Sequence, residues 1–198
     1  MKRNDYLYLD HAATTPMRDS AFEAFKNAEE FAFANSAGGH ELSRRAKNLL
    51  EESRDFIASY FGAAPSEITF TSGGTEADNW VIKAPFIDTK KNQNLVTSKI
   101  EHEAVLASAE WLENQGHEVS FANCNKDGQV DIADFLDNCN DNTSVASLMY
   151  ANNETGVVQQ IEKLAKEVKS KNSEILFHSD VVQAVSSEKL DFHKLGID

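Results

Sequence analysis

The sequence predicts an α/β fold in which a mostly parallel sheet is covered by helices on both faces. Three observations support this prediction. Two amphipathic helical patterns come first, strand-like and helical stretches alternate from residue 67 onward, and 41% of the 198 residues are hydrophobic. That hydrophobic share suffices for a core of ordinary size, in one large domain or two small ones. Strands that alternate with helices imply right-handed crossovers, which make neighbouring strands parallel.

The two opening patterns are predicted to be helices. The first can begin at Pro16 and places four apolar side chains on one side, at Phe22, Phe25, Ala28 and Phe31. The second stops at Gly62, a residue typical of helix ends, and has apolar residues at helical spacing: Leu42, Ala46, Leu49, Leu50, Ile57, Tyr60 and Phe61. The simplest interpretation of all these apolar side chains is packing.

Five strand-like runs follow. They are EITFT, NLVTS, EVSFAN, SVASLMY and ILFHSD, and the first four are each followed by a helical pattern. The predicted helices are EADNWVIKAPFI, which begins in a glycine turn, EHEAVLASAEWLENQG, DIADFLDNC and IEKLAKEVKSK. The segment after the last strand has no clear pattern.

Composition excludes several classes of function. A formal net charge of −13 argues against a nucleic-acid or anionic-membrane surface, since phosphate groups are bound by clustered Lys and Arg. The N-terminus lacks the apolar run of a secretory signal, and no stretch approaches the roughly 18 apolar residues of a membrane span. Cys124 and Cys139 form no CxxC motif and no histidine stands at metal-ligand spacing, so we expect a reduced, cytoplasmic protein with no metal site. Packing is the expected role of both thiols.

Polar residues collect where four of the predicted strands end. In parallel sheets, ligands bind at the carboxyl ends of the strands. The segments at these ends are SGGTE (72–76), KIEHE (99–103), ANNETG (151–156) and SDVVQ (179–183). Together they bring a glycine turn at a helix start, an imidazole, a pair of carboxamides and a carboxylate to one edge of one sheet.

Each segment alone also has a simpler explanation. The glycines could form a turn with Thr75 as a helix cap, His102 could be a surface histidine, and Asp180 could cap the next helix. NNETG could be only a turn. SGGTE fits neither the dinucleotide motif GxGxxG nor the nucleotide motif GxxxxGK[ST]. Convergence of all four segments on one edge favours a shared ligand over four separate explanations.

Pyridoxal phosphate is the ligand that would use all four segments. Its phosphate suits amides and hydroxyls at a helix N-terminus. Its aromatic ring can stack on an imidazole, and its phenolic oxygen needs hydrogen-bond donors. Its ring nitrogen must stay protonated to withdraw electrons, and a nearby carboxylate raises the pKa of that nitrogen.

The sequence also resembles that of a known protein family. Five stretches, YLDHAATTP, EITFTSGGTEADN, TSKIEHEAVL, YANNETGVVQ and HSDVVQAV, match in order the N-terminal half of a class V, fold-type I pyridoxal phosphate enzyme. The closest resemblance is to cysteine desulfurases of the NifS/IscS kind. It implies that residues 1–15 belong to the family's small domain and residues 16–198 to the N-terminal part of its coenzyme-binding large domain.

The resemblance assigns coenzyme contacts by position. Gly74 and Thr75 correspond to phosphate contacts, and Asp180 corresponds to the partner of the protonated ring nitrogen. Gln183 corresponds to the hydrogen-bond partner of the phenolic oxygen.

Two further residues would act on the substrate as well as on the coenzyme. His102 corresponds to the residue that stacks on the ring and is implicated in proton transfer. Asn153 corresponds to a residue near the phenolic oxygen and the substrate carboxylate. The family converts L-cysteine to L-alanine as a homodimer and passes sulfur, as a cysteine persulfide, to iron–sulfur scaffold or thiolation proteins.

Departures from the family pattern limit this expectation. NSAGGHELS keeps Asn35 and His40 of a loop near the family's active site but lacks its proline and later glycine. The Schiff-base lysine and the sulfur-accepting cysteine are expected beyond Asp198, since Lys194 precedes the strand that the lysine should follow. We therefore expect the 198-residue chain alone to be inactive. The alternatives are a non-catalytic or split-enzyme domain that needs a partner chain, or another class V enzyme such as a selenocysteine lyase or aminotransferase.

Overall fold

A computed structural model describes residues 7–87 and 93–198 of the chain. The chain divides into two compact units, Met1–Ile68 and Thr69–Asp198. The division at residue 15 that the family resemblance implies stays a prediction. No helix in the described ranges combines the length and the apolar character that crossing a bilayer requires.

The first helix of the first unit differs from its prediction. Helix α1 spans Asp19–Phe31 and does not begin at Pro16, because Arg18 has an extended backbone (φ −67°, ψ 146°) and serves as the N-cap. The packing prediction is also wrong for three of its side chains, since Phe22, Phe25 and Phe31 are 56%, 64% and 63% exposed. With two main helices, this unit has little surface to cover them.

Helix α2, Glu41–Phe61, confirms the second pattern. It ends at Gly62, whose left-handed backbone (φ 69°) suits glycine because a Cβ would be strained there. His40 caps its start by accepting a hydrogen bond from the Ser43 amide (3.3 Å). Its buried residues are Ser43, Ala46 and Ala58, so packing involves fewer positions than the apolar spacing suggested. A 3₁₀ turn at Pro65–Glu67 follows.

The second unit is built on four parallel strands. They are β1 (Asn94–Ser98), β2 (Glu118–Ala122), β3 (Thr143–Ser147) and β4 (Leu176–His178), in the order β2-β1-β3-β4. Their register aligns Val96 of β1 with Ala146 of β3, and Ala146 with Phe177 of β4. Five helices accompany the strands: α3 (Gly74–Lys83), α4 (Glu103–Asn114), α5 (Ile132–Asn138), α6 (Ile161–Lys171) and α7 (Phe192–Leu195). A 3₁₀ turn at Ala84–Phe86 extends α3.

Helices cover both faces of the sheet, as predicted. Alternate strand residues point to opposite faces, so neighbouring Leu95 and Val96 join different cores. Leu95 packs with Val145, α3 and α4. Val96 packs with Ala146, Phe177, α5 and α6. The family's expected architecture, a parallel α/β sheet between helical layers, is confirmed.

One predicted strand is wrong. EITFT (67–71) pairs with no strand among the described residues, although the Ile68 backbone is extended (φ −97°, ψ 123°). Its β-branched and aromatic residues favour an extended backbone, but a strand also needs a hydrogen-bonded neighbour, and β2 and β4 form the edges of the described sheet.

Candidate functional site

The carboxyl ends of three adjacent strands and the start of one helix form the candidate site. Strands β1, β3 and β4 are neighbours in the sheet, so the loops that follow them lie side by side. We use "the rim" for these four segments of the second unit: residues 72–78, 98–103, 147–153 and 178–183. The rim contains all six residues that the sequence analysis assigned to the site.

The start of α3 meets the loop after β4. A Cβ at Gly74 would lie 3.1 Å from Val182 Cγ2, which is tighter than most Cβ contacts, so the helix start packs closely against this loop. The amides of Gly74 and Thr75 donate to no protein acceptor in the described residues, as is usual in the first turn of a helix. Thr75 and Asp180 therefore belong to segments that touch.

The neighbouring Ser72 is already engaged by the first turn of α3. Its amide and its hydroxyl both donate to Glu76 Oε2, each at 2.6 Å. These two bonds lower the pKa of the Glu76 carboxyl, which is fully exposed. Ser72 and Glu76 thus bond to each other, and the amides of Gly74 and Thr75 have no acceptor among the described residues.

Three carboxyl groups of the rim, those of Asp78, Glu101 and Asp180, lie close enough to influence one another's charge. Asp78, one turn into α3, is 5% exposed, and Glu101, after β1, is 6% exposed. Burial, followed by repulsion from Asp180, raises the pKa of Asp78 to about 7. Burial also raises the pKa of Glu101 to about 8, with smaller contributions from Asp180 and Asp78. No Lys or Arg in the described ranges pairs with any of the three.

His178 lies beside this cluster at the end of β4. Its Nδ1 is 2.9 Å from the Ser147 hydroxyl, and its Nε2 is 3.6 Å from Asp78 Oδ1. Burial lowers the pKa of His178 to about 4, against a smaller raising effect of Asp180. The ring is therefore neutral at pH 7, and its contact with Asp78 is not a salt bridge. The imidazole adds no positive charge to the cluster.

His102 is both exposed and structurally used. Its Nδ1 accepts a hydrogen bond from the Ala104 amide (3.1 Å), which makes it the N-cap of α4. Because Nδ1 accepts this bond, Nε2 carries the proton in the neutral ring. His102 can therefore cap the helix through Nδ1 and still act in the site through Nε2.

In the loop after β3, the buried residue is Asn152 and not Asn153. The Asn152 carboxamide donates to the Ile100 carbonyl (2.8 Å) and accepts from the amides of Glu154 (3.0 Å) and Thr155 (2.8 Å). Asn153 has one side-chain hydrogen bond, to Glu154 Oε1 (3.1 Å). Asn152 ties the loops after β1 and β3 together, and Asn153 keeps a carboxamide oxygen for a ligand.

The loop after β4 is a turn and not the start of a helix. Asp180 Oδ1 accepts from the Val182 amide (2.9 Å), the pattern of an Asx turn, and its carbonyl accepts from the Tyr150 amide (2.8 Å). Asp180 therefore caps a turn and not a helix, and this cap uses one of its two carboxylate oxygens. Asp180 and Gln183 are both half-buried.

Sequence reasoning assigned no role to Asp78, Glu101 or His178. Each carried a weak signal: Asp78 occupies a position that faces inward from α3, Glu101 directly precedes His102, and His178 ends an apolar strand. Their convergence depends on the strand register, which spacing alone does not reveal. Within residues 7–87 and 93–198, no group of three or more His, Cys, Asp or Glu side chains is arranged to hold a metal ion.

Lys194 and the two cysteines, which the sequence analysis considered as nucleophiles, lie outside the rim. Lys194 is paired with Asp191 (2.8 Å) and lines a groove of about 420 Å³ with residues of α6, none of which belongs to the rim. Cys139 is buried in the core, where burial raises its pKa to about 11. The packing prediction is wrong for Cys124, which is exposed because its loop forms only an isolated bridge to Val130.

Comparison with known proteins agrees with this architecture. The model of the class-V aminotransferase family matches residues 7–198. A cysteine desulfurase IscS of Methanosarcina thermophila is 39% identical over 196 residues, which are 98% of this chain and 48% of that protein. The chain spans about half the length of the curated relatives that it matches.

Two solved structures are similar in both fold and sequence. A NifS-like protein superposes with a TM-score of 0.92 at 31% identity, over 97% of this chain and 53% of that one. A structure described as SspA in complex with cysteine has a TM-score of 0.91 at 33% identity, over 96% of this chain and 55% of that one. These findings confirm the resemblance drawn from the five motifs: the chain belongs to the class-V aminotransferase family.

Proposed function

We propose that this chain carries the coenzyme-binding rim of a pyridoxal phosphate-dependent cysteine desulfurase. The observation that supports it most is the contact between two segments that the sequence separates by about a hundred residues. The first turn of α3, in which the Gly74 and Thr75 amides have no acceptor among the described residues, approaches the loop that carries Asp180. An anion site and a carboxylate on touching segments suit a ligand with a phosphate at one end and a basic nitrogen at the other.

The donor set of the rim fits this coenzyme on three counts. The amides of Gly74 and Thr75 face no protein acceptor within the described residues. No Lys or Arg among those residues pairs with Asp180, and the Val182 amide uses only one of its carboxylate oxygens, which leaves the other for a cationic ligand. The Ser179 hydroxyl is buried and has no hydrogen-bond partner in the described ranges.

Each rim residue then has a chemical task. Bound pyridoxal phosphate would supply an electron-withdrawing ring that weakens bonds at the substrate's α-carbon. Asp180 would hold the proton on the ring nitrogen, with one oxygen kept in place by the Val182 amide. Thr75 and Gly74 would hold the phosphate, and His102 would stack on the ring and present Nε2 for proton transfer.

The carboxamides would orient the substrate and the coenzyme. Asn153 would contact the phenolic oxygen and the substrate carboxylate, and Gln183 would donate to the same phenolic oxygen. The relatives named cysteine desulfurase, and the related structure that contains cysteine, favour L-cysteine as substrate. A cytoplasmic homodimer that hands sulfur to an iron–sulfur scaffold or another acceptor protein completes the proposal.

The test is alanine formation from L-cysteine by the product of the complete reading frame, supplied with pyridoxal phosphate. With dithiothreitol added as the reductant that releases persulfide sulfur as sulfide, we expect alanine and sulfide in equal amounts, strongly reduced by Asp180→Asn. Alanine from L-selenocysteine but not from L-cysteine would identify a selenocysteine lyase, and amino transfer to a 2-oxo acid would identify an aminotransferase. Coenzyme binding without any of these reactions would favour a non-catalytic or split domain.

A further inference from the structure

Glu101 is a buried carboxyl group that connects two neighbouring strands. It lies three residues after β1 ends, and its side chain reaches the chain that leaves β3. Oε1 is 2.7 Å from the Ser98 hydroxyl, and both carboxyl oxygens are 3.1 Å from the Met149 amide nitrogen. Only 6% of the residue is exposed, so water cannot replace these partners.

Burial without a cationic partner disfavours a negative charge on Glu101. Burial raises the pKa of Glu101 to about 8; the hydrogen bonds from Ser98 and Met149 lower it by less, and Asp180 and Asp78 add smaller raising contributions. His178 of β4 is neutral at pH 7, because burial lowers its pKa to about 4. The neighbours from β1 and β3, Ser98 and Met149, offer only a hydroxyl and an amide. No cation from the described residues balances a charge at this position.

The hydrogen-bond geometry accommodates a neutral acid. The Ser98 hydroxyl donates to Oε1 at 2.7 Å, and the Met149 amide lies 3.1 Å from both oxygens, so a proton on Oε2 leaves Oε1 able to accept from both donors. The neutral form also removes the electrostatic repulsion between Glu101 and Asp180.

We propose that Glu101 is a positioning residue of the rim: as a neutral carboxylic acid it ties the end of β1 to the loop after β3 and so fixes His102 and Asn152 beside Asp180. His102 directly follows Glu101, and Asn152 bonds to the Ile100 carbonyl at 2.8 Å, so the two links act on the same pair of loops. The catalytic meaning of this role rests on the proposed function, but the protonation and the tie can be tested without coenzyme.

The first test is a pH titration of the ¹⁵N-labelled chain by NMR, with the Met149 amide as the probe. We expect its shift to move with a midpoint near pH 8, where Glu101 ionises. Glu101→Gln should abolish that transition, and Glu110→Gln, on the exposed side of α4, should leave it unchanged. A midpoint in the ordinary glutamate range, or a transition that persists in Glu101→Gln, would overturn the proposal.

The second test is hydrogen exchange of the Met149 and Asn152 amides. Glu101→Ala should accelerate exchange at Met149 by about tenfold, the effect of one lost hydrogen bond, and Glu101→Gln should restore most of the protection. Equal exchange in wild type and Glu101→Ala, or no recovery with Gln, would refute the tie. Both tests read the chain without coenzyme, so a failure of pyridoxal phosphate to bind would count against the proposed function and leave this result standing.

Discussion

Asn152→Ala should destabilise the second unit more than any neighbouring substitution in its loop. The Asn152 side chain, 8% exposed, bonds to the Ile100 carbonyl, to the Glu154 and Thr155 amides and to the Thr155 hydroxyl at 2.8–3.0 Å. Each such bond contributes about 0.5–1.5 kcal/mol net. Because water can reach the exposed Glu154 and Thr155 after truncation, we expect a total loss of about 2–4 kcal/mol in the free energy of unfolding.

Urea denaturation followed by tryptophan fluorescence measures this loss. Both tryptophans, Trp80 and Trp111, lie within Thr69–Asp198, so the signal reports on the unit that contains Asn152. The matched control is Asn153→Ala, which removes one exposed hydrogen bond and should cost less than about 0.5 kcal/mol. Equal losses for the two variants would refute the assignment of Asn152 as the link between the loops after β1 and β3.

Three further outcomes follow from the same structure. The folded pKa of Glu101 is raised from 4.5 to about 8, so its contribution to stability is complete below pH 4.5 and is lost as pH rises through 8. The free energy of unfolding, measured with denaturant from pH 5 to 8, should therefore fall by up to about 1.4 kcal/mol per pH unit because of this carboxyl. Glu101→Gln should make that fall smaller, and an unchanged fall would contradict the burial argument. A thiol reagent should label Cys124 alone in the native chain and both cysteines in denaturant, since Cys139 is 2% exposed and burial raises its pKa to about 11; rapid native labelling of Cys139 would contradict its place in the core. Thr75→Val should weaken pyridoxal phosphate binding by about 1.5–3 kcal/mol, the contribution of one hydrogen bond to a charged group, and an unchanged dissociation constant measured by absorbance would remove Thr75 from the phosphate site.

The pattern of apolar residues predicted two elements of the second unit especially well, one a fully buried strand and the other an amphipathic helix. NLVTS and IEKLAKEVKSK match β1 and α6 residue for residue, because a fully buried strand and a strongly amphipathic helix each leave a clear signature. EITFT failed because its composition describes an extended backbone, whereas a strand also requires a pairing partner that composition does not identify. The packing prediction for the phenylalanines of α1 was wrong for a similar reason, since the spacing of apolar residues identifies the apolar side of a helix but not what covers that side.

The candidate site was predictable in its location but not in its interior. Strand ends and a glycine turn pointed to the edge where the rim lies, because parallel topology brings those ends together. Asp78, Glu101 and His178 come from three separate elements, and their proximity follows from register and helix rotation. The sequence also did not predict that Asn152 is the buried residue that links two loops while Asn153 is left for a ligand. Two adjacent asparagines look the same in the sequence and differ only in which one faces inward.

The most direct test of the account is equilibrium binding of pyridoxal phosphate to the chain, followed by the coenzyme's absorbance, in wild type, Asp180→Asn and Asp141→Asn. Asparagine keeps the bond to the Val182 amide but removes the charge, and the exposed Asp141 lies before β3, at the opposite end of the strand from the rim. We expect saturable binding that Asp180→Asn weakens by about 10- to 150-fold, as for a lost charge-assisted hydrogen bond, and that Asp141→Asn leaves unchanged. Absence of saturable binding, or equal affinity of wild type and Asp180→Asn, would contradict the claim that the rim holds this coenzyme by its ring nitrogen.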